Sequence, residues 1–246
     1  MDDVSELRRL EVETYFDVIA RGGSERLLRA RSFHNLGEWD HGDYASLAES
    51  LREASATSSF SFLGRDAKRY AETIEMLDGD GHEVVLHGHR HVACDDIGYD
   101  LAHENVSRGL AAIEDATGVT PPGFIAPRQE VNAATLRVLD EFDFEWVLGR
   151  TDAAVPDGLD FREPAHPYDL IMLNEGDDPS TAFDRIREQT RPGAALLFHP
   201  NMLEYYGALD EFEAWLDETG PVSVGESFES GGVGLINDAM RPLRIE

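Results

Sequence analysis

Apolar and polar positions along this chain follow two different periods. Apolar side chains recur at helical spacing through the first twenty residues, with Leu7, Leu10 and Val18 among them, until Gly22 and Gly23 stop the pattern. Further on, short apolar runs typical of buried strands alternate with stretches of helical spacing. The predicted strands are Leu27–Phe33, Ser58–Leu63, Glu83–Leu86, Gly123–Ala126, Glu145–Leu148, Leu170–Leu173 and Ala194–Phe198. The predicted helices are Val4–Ala20, Tyr44–Ala54, Ala67–Leu77, Leu101–Thr117, Ala133–Phe142, Ser180–Gln189 and Leu209–Glu218.

This alternation predicts an α/β fold with a parallel sheet and right-handed crossovers, closed or nearly closed into a distorted (β/α) barrel. A length of 246 residues favours one domain over 1–246, with two small domains as the alternative. Residues 1–23 then form an N-terminal helical extension. The proline-rich stretch Thr151–Tyr168 is predicted to be a long loop.

The charge balance is strongly acidic. The chain has 49 acidic and 21 basic residues, for a formal net charge of -28, and Lys68 is its only lysine. This composition resembles that of proteins from salt-loving archaea, whose concentrated cytoplasmic salt screens such charge. Nucleic acid is therefore not expected as a partner. The acidic residues are spread along a chain that is 41% hydrophobic, which indicates a folded globule with an acidic surface.

Membrane and disulfide chemistry are not expected either. No apolar run has the length of a membrane span, and the start of the chain lacks the basic and apolar regions of a secretory signal. We therefore predict a cytoplasmic protein without a membrane partner. Cys94 is the only cysteine, so the chain forms no intrachain disulfide and no thiolate zinc cluster.

Three alternate histidines, His87, His89 and His91, directly follow the apolar run Val84–Leu86. Because a strand points every second side chain to the same face, two or three imidazoles at its end can converge on one point. Imidazole nitrogen binds Zn²⁺, Co, Ni or Fe, which favours a metal site. The alternative is a solvated, histidine-rich strand end.

Other polar residues also follow predicted strands. In parallel α/β folds the chemistry lies at the carboxyl ends of the strands. His34 and Asn35 follow the first predicted strand, Arg128 follows the fourth, and His199 follows the run Leu196–Phe198. We expect these segments to contribute to one site.

Three segments together resemble a known family. Ser58–His91 reads SSFSFLGRDAKRYAETIEMLDGDGHEVVLHGHRH, Thr117–Asn132 reads TGVTPPGFIAPRQEVN, and Leu196–Pro200 reads LLFHP. In this order and at these intervals they resemble the polysaccharide deacetylases with the NodB-homology fold, carbohydrate esterase family four. The resemblance covers about Leu27 to His199.

The resemblance implies a divalent metal, most simply zinc, with cobalt, nickel and iron as alternatives. It maps the two histidine ligands onto His87 and His91, and the acid that protonates the leaving amine onto His199. In that family the metal polarises an N-acetyl carbonyl and activates water, while a neighbouring Asp takes the proton. His89 would be a wall of the site or support its ligands.

The chain departs from the family pattern at the two positions where the family has its base and its metal-binding aspartate. His34 stands where the family has the base Asp, and Asn35 stands where it has the metal-binding Asp. An amide oxygen is a weaker ligand than a carboxylate, so zinc affinity should fall. Asp40 or His41 could supply the missing ligand, and His34 itself could be the base.

Two further positions differ. The arginine of the family's third motif is Ile125 here, with Arg128 three positions later as a stand-in that could bind a carboxylate or sugar hydroxyls. The small hydroxyl residue after the first metal histidine is Gly88. Trp39 is a candidate for stacking against a sugar at the mouth of the site.

Three functions compete on this evidence. The first is a metal-dependent hydrolase of non-peptide carbon–nitrogen bonds, most simply an N-deacetylase of a carbohydrate or a related small amide. The second is a degenerate, inactive deacetylase-like protein that binds a carbohydrate, which the changes at Asn35 and Ile125 favour. The third is a structural or partner-binding barrel. The sequence does not identify the substrate or the oligomeric state.

Overall fold

A computed structural model describes residues 6–13, 28–29 and 40–238 of the chain. Its helices, in addition to the helical segment 6–13, are α1 His41–Glu53, α2 Ala71–Gly79, α3 Tyr99–Thr117, α4 Ala133–Glu141, α5 Asp169–Glu175, α6 Pro179–Gln189, α7 Pro200–Tyr206, α8 Leu209–Thr219 and α9 Val224–Ser230. The strands are β1 Ser59–Phe62, β2 Glu83–Leu86, β3 Gly123–Glu130, β4 Trp146–Arg150, β5 Asp160–Arg162, β6 Ala195–Phe198 and β7 Gly234–Asp238. A short 3₁₀ turn, Gly64–Asp66, follows β1.

The seven strands form one sheet in the order β5-β4-β3-β2-β1-β7-β6. Neighbouring strands pair in parallel, as in the register of Phe124 with Val147 and of Phe198 with Asn237. Every residue of β1, β6 and β7 is buried, as expected for parallel strands covered on both faces. The predicted α/β class with a parallel sheet is confirmed.

Local polar residues fix where several helices begin. Asp40 caps α1 by accepting hydrogen bonds from the backbone N–H groups of Gly42 and Asp43, and the Asp43 side chain accepts in return from the Asp40 N–H. Asn132 accepts from the Thr135 N–H at the start of α4. Such caps satisfy donors that the first helical turn leaves unpaired. No helix within the described residues is long and apolar enough to cross a membrane.

The structure corrects two predicted strands. Leu170–Leu173 lies inside helix α5, because a run of four apolar residues does not distinguish a buried strand from a buried helical turn. Leu28 and Arg29, the described residues of the predicted strand Leu27–Phe33, are helical, so that prediction is wrong at both positions. The predicted loop Thr151–Tyr168 contains strand β5, which the sequence analysis missed along with β7.

The chain divides into two compact units. The described residues of the first unit are 6–13, Ser61–Asp78 and Val84–Pro164, and those of the second are 28–29, 40–60, Gly79–Glu83 and 165–238. The predicted assignment of 1–246 to one domain stays a prediction.

In the first unit, helix α3 packs tightly at Gly109 against the chain that follows β2. A Cβ atom built on Gly109 would lie 2.8 Å from the His89 backbone nitrogen, 2.8 Å from Leu86 Cδ1 and 2.9 Å from the Gly88 carbonyl carbon. Gly64, in the turn after β1, also lies close to Gly109: a Cβ atom built on Gly64 would lie 2.5 Å from the Gly109 Cα. The two glycines therefore allow the close approach of three backbone segments.

We expect Gly109→Ala to lower the free energy of unfolding by about 1–3 kcal/mol, because the added methyl group meets backbone atoms that cannot rotate away. Guanidinium denaturation at constant high salt measures this change. Gly79→Ala is the control, since nothing lies within 4 Å of its added Cβ. An equal loss of stability in both variants would contradict the packing argument.

Candidate functional site

The imidazole of His87 is held in one orientation in the first unit. Its Nδ1 lies 2.7 Å from the carbonyl oxygen of Ile125, and the side chain is buried. Because a carbonyl oxygen only accepts, Nδ1 carries the proton and Nε2 presents its lone pair. That Nε2 is buried without a hydrogen-bond partner among the described residues. A histidine held through one nitrogen with the other nitrogen unused is the usual state of a metal ligand.

His91 lies beside His87. The two rings are 5.0 Å apart between centroids, and both side chains are buried. The structure therefore brings together the two histidines that the sequence predicts as ligands.

The chain from 87 to 91 is fixed by hydrogen bonds to its backbone. They are His87 N to Phe62 O (2.9 Å), His89 N to Asn105 O (2.9 Å), Arg90 N to Asn105 Oδ1 (2.8 Å), His91 N to Glu11 Oε1 (2.9 Å), Gly64 N to Gly88 O (2.9 Å) and Arg65 N to His89 O (3.1 Å). A buried segment requires such pairing, because an unpaired peptide group costs about 1–3 kcal/mol. Rigid backbone here gives both histidine side chains a defined direction.

Glycine at position 88 has a structural explanation. Its φ is +84°, and an added Cβ would lie 2.7 Å from Asn105 Nδ2 and 3.0 Å from Arg90 O. Asn105 occupies the space of a side chain at position 88 and bonds the turn through both its amide oxygen and its amide nitrogen. The departure from a small hydroxyl residue therefore accompanies a turn that is organised by Asn105.

Glu11 is the residue near this pair that the sequence analysis missed. Its carboxylate is fully buried and forms ion pairs with Arg65 Nη1 at 2.6 Å and Arg90 Nη1 at 2.9 Å, besides accepting from the His91 N–H. A signal was present in the sequence. Glu11 follows buried Leu7 by four residues, so a charged side chain occupies the apolar face of the N-terminal helix.

His89 has a different environment. It is half-buried, and burial together with the cationic Arg108, Arg90 and Arg65 lowers the pKa of His89 to about 4. The ring is therefore neutral at pH 7 and does not serve as a proton donor there. Its predicted position as a wall of the site stays a prediction.

The fit of a divalent cation to these residues is partial. His87 and His91 have the ligand type and burial that Zn²⁺, Co or Ni requires, and the buried Nε2 of His87 lacks another partner among the described residues. No group of three or more His, Cys, Asp or Glu side chains in 6–13, 28–29 and 40–238 is arranged to hold a metal ion. A third ligand would have to come from an amide, a backbone oxygen or a residue outside those ranges.

The second unit contains a buried histidine between two carboxylates. Asp169, at the start of α5, accepts from the His199 backbone N–H at 2.7 Å through Oδ2, and its Oδ1 lies 3.0 Å from His199 Nδ1. Asp238, at the end of β7, places Oδ2 3.7 Å from His199 Nε2. Tyr168 stacks on the imidazole with ring centroids 5.8 Å apart.

The charges around His199 oppose the effect of its burial. Burial by itself lowers the pKa of His199, but the charge and hydrogen bond of Asp169 and the charge of Asp238 outweigh it and raise that pKa above its ordinary value. The folded state therefore favours an imidazolium. A protonated imidazole can donate from Nε2, which is the property required of a general acid.

The remaining predicted site residues are less constrained. Asp40 is exposed and acts as the cap of α1, so its role as a metal ligand stays a prediction. Arg128 is also exposed, with a φ of +60°, and its substrate role is untested. His34, Asn35 and Trp39 lie outside the described residues.

Comparison with protein family models finds a match for one segment of the chain. Residues 37–147 match the family model described as polysaccharide deacetylase. This segment, which is less than half of the chain, is similar to polysaccharide deacetylases. The match supports the resemblance that the sequence motifs indicate. No match to a curated protein was found.

Solved structures extend the likeness to most of the chain. A CE4 family pseudoenzyme from Bacillus anthracis shares 18% identity and a TM-score of 0.58 over 81% of this chain and 66% of its own. A putative polysaccharide deacetylase from Mycobacterium smegmatis shares 22% identity and a TM-score of 0.55, over 96% of this chain and 73% of its own.

A family 4 carbohydrate esterase from Streptomyces lividans, in complex with acetate, shares 17% identity and a TM-score of 0.53 over 81% of this chain and 86% of its own. At these identities the likeness establishes the fold, which is the (β/α)-barrel type that the sequence predicts. The chain spans just under two thirds of the length of the pseudoenzyme.

Proposed function

We propose that this protein is a polysaccharide deacetylase-like, metal-dependent hydrolase of non-peptide carbon–nitrogen bonds that removes an N-acetyl group from a carbohydrate or a related amide. The observation that carries the proposal is the state of His87. Its Nδ1 donates to Ile125 O, while its buried Nε2 has no hydrogen-bond partner among the described residues. The buried imidazole of His91 lies beside it, with ring centroids 5.0 Å apart, and this pairing suits two ligands of one cation.

His87 and His91 would hold the divalent cation, zinc or a related ion, through ring nitrogens. When bound, such a cation supplies Lewis acidity toward an amide carbonyl and toward water. Asn35 and Asp40 are the proposed sources of a further ligand, and His34 is the proposed base. Arg128 and Trp39 are the proposed contacts to the substrate.

His199 has the properties of the acid for the leaving amine. Asp169 fixes the imidazole through Nδ1 and through the backbone N–H, and the raised pKa of His199 keeps the ring protonated further toward neutral pH. An amine leaves an amide far more readily when it is protonated as the carbon–nitrogen bond breaks, so a positioned acid contributes about 10²- to 10⁴-fold in rate. We assign this donation to Nε2.

The second candidate is an inactive deacetylase-like protein that binds a carbohydrate. Two observations favour it. No third ligand of the His, Cys, Asp or Glu type accompanies His87 and His91 within the described ranges, and solved structures similar to this chain include a CE4 family pseudoenzyme. A mutant of that pseudoenzyme is described as having restored enzymatic activity, which shows that in such a protein the loss can be reversed.

Release of acetate from tri-N-acetylchitotriose tests the two candidates. The protein is assayed at high salt after loading with zinc or cobalt, and acetate and free amine are quantified together. We expect both products in equal amounts, with the rate lowered about 10²- to 10⁴-fold by His199→Gln. His166→Gln is the matched control, because His166 is an exposed histidine of the same unit.

Absence of product together with saturable binding of the oligosaccharide would support the inactive protein. In that case we expect His34→Asp combined with Asn35→Asp to create acetate release, because the pair restores both carboxylates of the family pattern. Absence of both product and binding would reject both candidates for this sugar. An unaltered rate in His199→Gln would remove His199 from the mechanism.

A further inference from the structure

Glu11 joins the N-terminal helix to the segment that contains the two histidine ligands. Residues 6–13 carry buried Leu7 and, one helical turn later, the fully buried carboxylate of Glu11. Both carboxylate oxygens are used. Oε1 accepts from the His91 N–H at 2.9 Å and lies 2.6 Å from Arg65 Nη1, and Oε2 lies 2.9 Å from Arg90 Nη1.

These contacts complete the hydrogen bonding of the chain from 87 to 91. Backbone and side-chain atoms of Asn105 hold the N–H groups of His89 and Arg90, and the turn after β1 holds the carbonyls of Gly88 and His89. The acceptor for the N–H of His91 comes from Glu11, eighty positions earlier in the sequence. The backbone at His91 therefore depends on a helix that lies outside the residues of the family match.

We infer that Glu11 is a positioning residue that sets the direction of the His91 side chain for metal binding, and that residues 6–13 are a working part of the site. This inference rests on the proposed function. The Glu11 carboxylate accepts from the His91 peptide N–H and is itself held by Arg65 and Arg90. These contacts limit rotation of the backbone at His91. Residues that support metal ligands in this way typically change affinity by about 10- to 100-fold when removed.

The test uses Glu11→Gln in the full chain at high salt. Cobalt affinity is measured by the visible absorption of bound Co²⁺, and hydrogen exchange of the His91 amide is measured by NMR in the metal-free protein. We expect Glu11→Gln to weaken cobalt binding about 10- to 100-fold. Exchange of the His91 amide should become faster, because a neutral amide oxygen is a weaker acceptor than a carboxylate.

Two control variants separate this role from general stabilisation. Glu13→Gln removes an exposed carboxylate of the same helix, which pairs with Arg9 at 2.6 Å, and should change neither measurement. Val138→Ala removes two buried methyl groups from α4 in the same unit, and should lower the thermal midpoint while leaving cobalt affinity unchanged.

The outcomes distinguish this inference from the proposed function. If Glu11→Gln binds cobalt as tightly as the wild type, or if its His91 amide exchanges at the wild-type rate, the inference is overturned and the proposed function is not. Absence of cobalt binding in the wild type would overturn the proposed function and the inference with it. If Glu11→Gln does not fold, Glu11→Asp replaces it, because Asp keeps the charge but is one methylene too short for all three contacts. Unaltered cobalt affinity in that variant would also overturn the inference.

Discussion

Combined replacement of His87 and His91 by alanine is expected to remove bound metal from the protein. Wild type purified at high salt should contain near-stoichiometric zinc, cobalt, nickel or iron by plasma mass spectrometry, and the double variant should contain only background amounts. The physical reason is the loss of both buried imidazoles, whose rings are 5.0 Å apart. The remaining oxygen donors do not bind Zn²⁺ strongly by themselves.

The same variant should lose the stabilisation that added metal gives. Zinc at roughly a hundredfold excess over its dissociation constant stabilises a folded protein by about 2.7 kcal/mol, and this increment should vanish in the double variant. His103→Ala is the control, because His103 is an exposed histidine of the same unit. Wild type that binds no metal, even after incubation with zinc or cobalt, would exclude the hydrolase and favour the inactive carbohydrate-binding protein.

Asp169→Asn is expected to lower the free energy of unfolding by about 3–5 kcal/mol at pH values where His199 is protonated, because it removes the charge that compensates a buried imidazolium. Asn preserves the shape and can still accept from the His199 N–H. Both oxygens of buried Asp169 accept from His199, so Asn also turns an amide N–H toward Nδ1. The part of the loss that changes with pH therefore reports the charge of Asp169.

The pH dependence of this loss follows from the direction of the pKa shift. The pKa of His199 is raised in the folded protein, so its contribution to stability is complete below the unfolded value of about 6.5 and is lost as the pH rises through the folded value. The difference between wild type and Asp169→Asn should therefore be largest near or below pH 6.5 and should shrink as the pH increases. Guanidinium denaturation across this range measures it.

Asp178→Asn serves as the control for this experiment. Asp178 caps helix α6 through its side chain, is exposed, and is replaced by a residue that caps equally well. The free energy of unfolding of Asp178→Asn should stay close to that of the wild type at each of these pH values. A difference between wild type and Asp169→Asn that stays constant with pH would contradict the ion pair with His199.

The sequence predicted the parts of this fold that depend on local pattern. Apolar runs between helical stretches were sufficient for the parallel α/β class, and most predicted helices and strands lie where the structure has them. The same criterion failed at Leu170–Leu173, because four apolar residues fit the buried face of helix α5 as well as a strand. Strand β5 is three residues long with no buried side chain, which left it without an apolar signal.

By itself the sequence determined which residue types stand at the candidate site. The family resemblance indicated His87 and His91, and the apolar run before His199 placed that residue at the carboxyl end of a strand. Residues 87–91 follow β2 in a turn where Gly88 has a φ of +84°, so strand alternation does not explain why the two histidines meet. The sequence also placed Glu11 on the apolar face of its helix, four residues after Leu7.

Only the tertiary structure supplied the partners of these residues. Ile125 O holds His87, Glu11 holds His91 and Asp169 holds His199, across separations of 38, 80 and 30 positions. Such contacts depend on how the strands are ordered and how the chain turns between them. One of the partners is a backbone carbonyl, which every residue type possesses. No local pattern can therefore identify these contacts, whereas packing of the folded chain fixes them.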